Sequence, residues 1–165
     1  MGHAEHKANA PSSVGCMVIT VSDTRTPDTD ESGRLIQKLL REQDHSIVAY
    51  HLVKNEPSLI KGLIQKAPAG VQAIILTGGT GLSKRDSTYE TLVALFEKKL
   101  DGFGELFRAL SYREIGSPAM MSRATAGTYQ GKVIFSLPGS EAAVRLAMEK
   151  LILPELGHLL HELTR

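Results

Sequence analysis

Between Thr77 and Thr88 the chain reads Thr-Gly-Gly-Thr-Gly-Leu-Ser-Lys-Arg-Asp-Ser-Thr, its most distinctive chemical segment. Gly78, Gly79 and Gly81 let backbone amides approach an anion closely, and Thr77, Thr80 and Ser83 add hydroxyl donors. Lys84 and Arg85 supply positive charge, whereas Asp86 opposes it. A carboxylate ~4 Å from a phosphate is repelled by roughly 4 kcal/mol at an effective dielectric near 20. A bridging Mg²⁺ resolves that conflict and makes Asp86 the candidate metal ligand and catalytic residue. Two plainer readings stand beside this one: a turn between strand and helix, and Asp86 with Ser87 as the N-cap of the next helix. The segment is neither a Walker A loop nor a Rossmann fingerprint, because no Gly-Lys-Ser/Thr closes it and no Gly-x-Gly-x-x-Gly occurs.

Two further clusters have the right residue types. Ser22-Asp23-Thr24-Arg25, followed by Asp28, Asp30, Glu31, Ser32 and Gly33, reads equally well as ligand contacts and as helix caps with solvated charges. Pro138-Gly139-Ser140 joins a strand to a helix N-terminus, where free amides and the helix dipole favour anions. The histidines form no metal pattern: His3 and His6 lie near the start, His45 and His51 beside or in a strand, His158 and His161 on the last helix. No Gly-x-Ser-x-Gly elbow offers a hydrolase nucleophile.

The elements that must position these residues follow from apolar periodicity. Strands are expected at Cys16 to Val21, Ile47 to Val53 and Ala73 to Leu76, alternating with helices through Leu35, Ile36, Leu39 and Leu40 and, after Pro57, through Leu59, Ile60, Leu63 and Ile64. The continuous apolar run Ala73-Ile74-Ile75-Leu76 marks the central strand. Helices through Leu92, Leu95 and Phe96 and through Phe103, Leu106, Phe107 and Leu110 come next. A hairpin is expected from Ala124 to Leu137, turning at Gln130-Gly131, then a helix from Ser140 to Leu151 that Pro154 breaks before a last helical piece. The result is one three-layer α/β/α domain, residues 15–165, with a mostly parallel mixed sheet, preceded by a loose tail over residues 1–14.

Composition bounds the function. Nineteen basic against eighteen acidic residues leave a net charge of +1, without the basic excess of a nucleic-acid partner. No apolar stretch approaches the ~20 residues of a membrane span. The single Cys16 lies in an apolar run and reads as a buried hydrophobe in a reducing, cytoplasmic setting.

Thr-Val-Ser-Asp after the first strand, Thr-Gly-Gly-Thr-Gly with Arg85-Asp86 after the third, Gly102-Phe103-Gly104-Glu105, Ser122-Arg123 and Leu137-Pro138-Gly139-Ser140 occur in order. Together they resemble the molybdenum cofactor biosynthesis family that includes MoaB and MogA, from about Gly15 to Leu163. The resemblance implies a MogA-like fold, a homotrimer or homohexamer, molybdopterin and ATP as ligands, and other proteins of the same pathway as partners. It further implies that Mg-ATP adenylylates molybdopterin, with Gly78, Gly79, Thr80 and Gly81 on phosphate and Asp86 on Mg²⁺. Ser22, Asp23 and Pro138-Gly139-Ser140 would line the remaining pocket. One position departs from the family pattern: active adenylyltransferases commonly carry an aspartate after the second strand, in a Pro-Asp-Glu context, where this chain has Val53-Lys54-Asn55-Glu56. Glu56 is the candidate substitute carboxylate, and capping ahead of Pro57 is the plain role for both residues. A pathway protein that binds molybdopterin without turnover is the alternative.

Overall fold

The computed structural model describes residues 2–165, apart from the side chains of His3, His6 and Lys7; Met1 lies outside the described residues. Seven α-helices and six strands occur among them: α1 His3–Ala8, β1 Gly15–Val21, α2 Glu31–Glu42, β2 Ser46–Val53, α3 Pro57–Gln65, β3 Ala73–Thr77, α4 Thr88–Leu95, β4 Lys98–Lys99, α5 Asp101–Ile115, β5 Thr125–Tyr129, β6 Lys132–Leu137, α6 Glu141–Ala147 and α7 Leu153–Thr164. The sheet order is β2-β1-β3-β6-β5-β4. The first four strands in that order are parallel, and β5 and β4 are antiparallel additions.

Side-chain alternation divides the core into two layers. Cys16 and Val18 of β1, Ala73 and Ile75 of β3, and Val133, Phe135 and Leu137 of β6 pack with Ile36, Leu40, Phe107, Val144 and Leu156 from the helices of one face. Met17, Ile19 and Val21, Ile74 and Leu76, and Ile134 pack with Ile60, Ile64 and Leu92 on the other. Every residue of β1 and β3 is buried, as expected of strands covered on both faces. Cys16 is fully buried, and burial pushes its thiol up to about 12, the inert role expected of it. The hairpin turns at Gln130-Gly131, both with positive φ, of 46° and 75°. That is the backbone of a two-residue turn matching the strand twist.

Three expectations need correction. The segment read as a loose tail contains α1, which packs on α7, and Gly157 lies so close to Pro11 that an added Cβ would meet the Pro11 carbonyl oxygen at 2.4 Å. Pro154 does not break the C-terminal helix. A wider π-helical turn, Met148–Ile152, joins α6 to α7, with Met148 and Leu153 in helical conformation. Such a turn shifts the hydrogen-bond register and accommodates the missing proline N–H. Two short elements escaped the periodicity: β4, only two residues long, and a 3₁₀ turn at Ser117–Met121.

Candidate functional site

Because β1, β2, β3 and β6 run parallel, their carboxyl ends lie along one edge, and all the chemically interesting loops leave from it. After β1 the chain turns into α2 on one face of the sheet, whereas α3, which leads into β3, lies on the other. The order therefore reverses between β1 and β3, and open α/β sheets take ligands in the crevice at such a point.

The glycine loop is built against β1. Gly78 and Gly79 have φ of 96° and 69°. A Cβ on Gly78 would meet the Val21 carbonyl oxygen at 2.2 Å, and one on Gly79 would meet Thr88 Oγ1 at 2.2 Å. Only glycine satisfies both the conformation and the approach. All four carbonyls of residues 78–81 are occupied: Gly78 accepts from the Thr88 hydroxyl at 3.1 Å, Gly79 from the Thr88 amide at 3.1 Å, Thr80 from Arg123 Nε at 3.2 Å, and Gly81 from Arg123 Nη2 at 2.6 Å. Among the described residues no acceptor takes the amides of Gly79, Thr80 or Gly81. A loop with occupied acceptors and open donors has the polarity that suits an anion.

Arg123 is the clamp that produces this polarity. Besides the two carbonyls it pairs with Glu90, holding that carboxyl below its usual range, and it stacks 5.2 Å from the Tyr89 ring centre. Its place in the Ser122-Arg123 pair was visible in the sequence, but its contact with a loop some forty residues earlier was not.

The other expected residues have defined places. Thr77 donates its hydroxyl to the Pro138 carbonyl at 2.9 Å, so this donor joins two loops. Ser22 accepts the amides of Thr24 and Arg25 at 3.2 and 3.0 Å, a turn-forming role. Asp23 accepts the Asn55 amide at 2.9 Å and pairs with Arg85 through both carboxylate oxygens at 3.0 to 3.2 Å. The Asn55 amide and the Arg85 guanidinium hold the Asp23 carboxyl below the usual carboxylate range. Pro138-Gly139-Ser140 lies against the glycine loop, with the Cβ position of Gly139 3.6 Å from Gly78 Cα. The Gly139 carbonyl accepts from Ser32 Oγ at 2.7 Å and Arg25 Nη2 at 3.1 Å, and Ser140 Oγ caps α6 through the Ala143 amide at 3.2 Å. Asp30, which the sequence left open between cap and ligand, is a fully buried cap: it accepts the Gly33 amide at 2.9 Å and the Tyr50 hydroxyl.

Asp86 is not the cap of α4; Ser87 holds that position without a side-chain cap bond. Instead Asp86 Oδ2 accepts from the Ser83 amide at 3.2 Å and hydroxyl at 2.7 Å, and Oδ1 from Asn55 Nδ2 at 3.4 Å. Asn55 likewise does not cap α3, where exposed Glu56 is the N-cap residue without a side-chain bond. Asp86 keeps one acceptor site, on Oδ1, and lines a concavity of about 310 Å³ with Ser83, Lys84, Ser87, Glu90 and Arg123. This fits Mg²⁺ that arrives on phosphate oxygens with its own waters, which needs only one or two protein carboxylates. Among the described residues no group of three or more His, Cys, Asp or Glu gathers to hold a metal by itself.

Beyond Arg123 a second concavity of about 370 Å³ opens between α4, β4 and α5, lined by Tyr89, Lys99, Arg108, Ser122 and Thr125. Arg108 donates to the Ala124 carbonyl at 3.0 Å, and Gly104 leaves room for that guanidinium, since its Cβ would lie 2.6 Å from Arg108 Nη2. The Gly102-Phe103-Gly104-Glu105 motif thereby gains a physical role, with Gly104 and Glu105 on the wall of this concavity.

Fold and site define an α/β domain that presents a glycine loop with open amide donors and an adjoining polar cleft at the carboxyl edge of its sheet. The family model described as probable molybdopterin binding domain matches residues 17–158, and the chain belongs to that family, among the molybdenum cofactor biosynthesis proteins of MoaB type. Molybdenum cofactor biosynthesis protein B of Bacillus cereus is 52% identical, with 100% of this chain and 99% of the relative covered. That of Bacillus subtilis is 51% identical with the same coverage. A crystal structure of molybdenum cofactor biosynthesis protein B superimposes with a TM-score of 0.90 at 51% identity, over 95% of this chain and 99% of the other. The tungsten cofactor synthesizing protein MoaB from Pyrococcus furiosus gives 0.85 at 38% identity, over 94% and 100%. Among the described residues no helix is long and apolar enough to cross a membrane.

Proposed function

We propose that this chain binds molybdopterin at the carboxyl edge of the sheet and adenylylates it with Mg-ATP. The observation that supports this reading best is the polarity of residues 78–81, whose carbonyls are all occupied while three successive amides stay open. Those amides would hold phosphate oxygens, and the concavity beyond Arg123 has the size and polar lining for the pterin end of the same ligand. The phosphate monoester oxygen of molybdopterin attacks the α-phosphorus of ATP; an O–P bond forms, the bond to the β-phosphate bridging oxygen breaks, and pyrophosphate leaves with that electron pair. Asp86 would hold Mg²⁺ arriving with the nucleotide, and the ion would supply charge neutralisation for the leaving group. Lys84 adds charge at the loop, and the Pro138-Gly139-Ser140 turn, held by Arg25 and Ser32, would bound the far wall. Glu56, exposed at the start of α3, is the second carboxylate within this reading. Assembly as a homotrimer or homohexamer belongs to the same proposal.

The test compares the native chain with Asp86→Ala. The native protein releases pyrophosphate only when molybdopterin, ATP and Mg²⁺ are all present, and the variant loses that release while still binding molybdopterin. Equal release by the variant would remove Asp86 from the mechanism. A second reading, binding without turnover, is favoured by one observation: the Asn55 amide is bonded to Asp86. It predicts molybdopterin binding and no pyrophosphate from the native chain.

A further inference from the structure

Asn55 is 8% exposed and its side chain sits among the three loops of the site. Its backbone amide donates to Asp23 Oδ1 at 2.9 Å, its Oδ1 accepts from the Ser87 amide at 3.3 Å and the Ser87 hydroxyl at 3.1 Å, and its Nδ2 donates to Asp86 Oδ1 at 3.4 Å. The orientation of the amide is determined by chemistry. The Ser87 backbone N–H can only donate, so the oxygen must face Ser87 and the NH₂ must face the Asp86 carboxylate. An aspartate in this place would present its second oxygen to Asp86, and two carboxylates so close require a proton or a cation between them.

We infer that the Asn55 amide is the internal substitute for a resident cation. It positions Asp86 and occupies one of the two acceptor sites of its inner oxygen, so the unliganded protein has no standing divalent-metal site, and metal enters only on the phosphates of a nucleotide. The loop is thereby assembled before any metal binds, because Ser83, Ser87 and Asn55 already supply the donors. Asn55 is a positioning residue in this scheme, and a single side-chain atom decides whether metal is held permanently or brought by substrate.

The experiment uses the full chain with neither pterin nor nucleotide, so its outcome is separable from that of the adenylylation reading. Free Mn²⁺ is titrated and followed by electron paramagnetic resonance. Asn55→Asp is expected to bind Mn²⁺ at least tenfold more tightly than the native chain, and adding Asp86→Asn to that variant is expected to abolish the gain. A smaller gain, or one that survives Asp86→Asn, overturns the inference. Should Asn55→Asp fail to fold by circular dichroism, the native background decides the question. There Asp86→Asn alone is expected to change Mn²⁺ affinity by less than twofold, and a larger loss would show a resident site that the inference denies.

Discussion

At Gly78 and Gly79 the backbone itself is the functional group, and neither position has room for a side chain. Gly78 combines φ of 96° with a Cβ position 2.2 Å from the Val21 carbonyl oxygen, an obstacle that belongs to a central strand and cannot rotate away. Gly78→Ala is therefore expected to cost about 3 kcal/mol from left-handed strain and the forced shift of the loop. By contrast, Gly62 in α3 has nothing within 4 Å of its Cβ position, and Gly62→Ala is expected to stabilise by about 0.5–1 kcal/mol. Urea denaturation of the two variants measures both values; the same sign in each would contradict the account. The glycines themselves were legible as a loop of close backbone approach at a strand end, which is what their φ and surroundings show. The partners were not legible. Arg123 reaches Thr80 and Gly81 from the start of the hairpin, and Asn55 reaches Asp86 from the end of β2, contacts that exist only once the sheet is formed. Thr77 and Ser22 lie at the edge as expected, and their hydroxyls also bond the loops themselves, a role that residue type alone does not reveal.

The start of α2 shows how one element ties its cap to the neighbouring strand. Asp30 caps the helix, receives the Tyr50 hydroxyl from β2, and lies 3.7 Å from Arg25, which in turn donates to Gly139. Burial first, then the bond to Asp30, pushes the Tyr50 hydroxyl up to about 12 from its ordinary value of 10.0. A folded-state value raised above the unfolded one means that the native protein holds the proton longer, so this contribution is fully present below about pH 10 and is lost as pH rises toward 12. The urea midpoint is expected to fall over that window by more in the native chain than in Tyr50→Phe; equal slopes would show that this hydroxyl does not couple to folding. Strands and helices with full apolar periodicity were legible in the sequence, including the central β3. The elements that were missed have no periodicity to read: β4 has two residues, and the π-helical turn before Pro154 is a local register change inside a continuous helix.

Over the whole molecule, parallel β1, β2, β3 and β6 collect four loops that are far apart in sequence, and the reversal of order between β1 and β3 opens the crevice they share. The two-layered core explains why this edge is firm enough to hold backbone amides open: β1, β3 and β6 behind it are packed on both faces. Family membership carries the pathway, and the loop polarity supports the proposed phosphate binding; the proposed group transfer would join them. It is tested most directly by incubating the native chain with molybdopterin, Mg²⁺ and ATP labelled at the α-phosphate, then separating the products. The account predicts label in adenylylated molybdopterin, one for each pyrophosphate released. Label that stays in ATP, or appears only in AMP or ADP, with a folded chain that binds molybdopterin would contradict it.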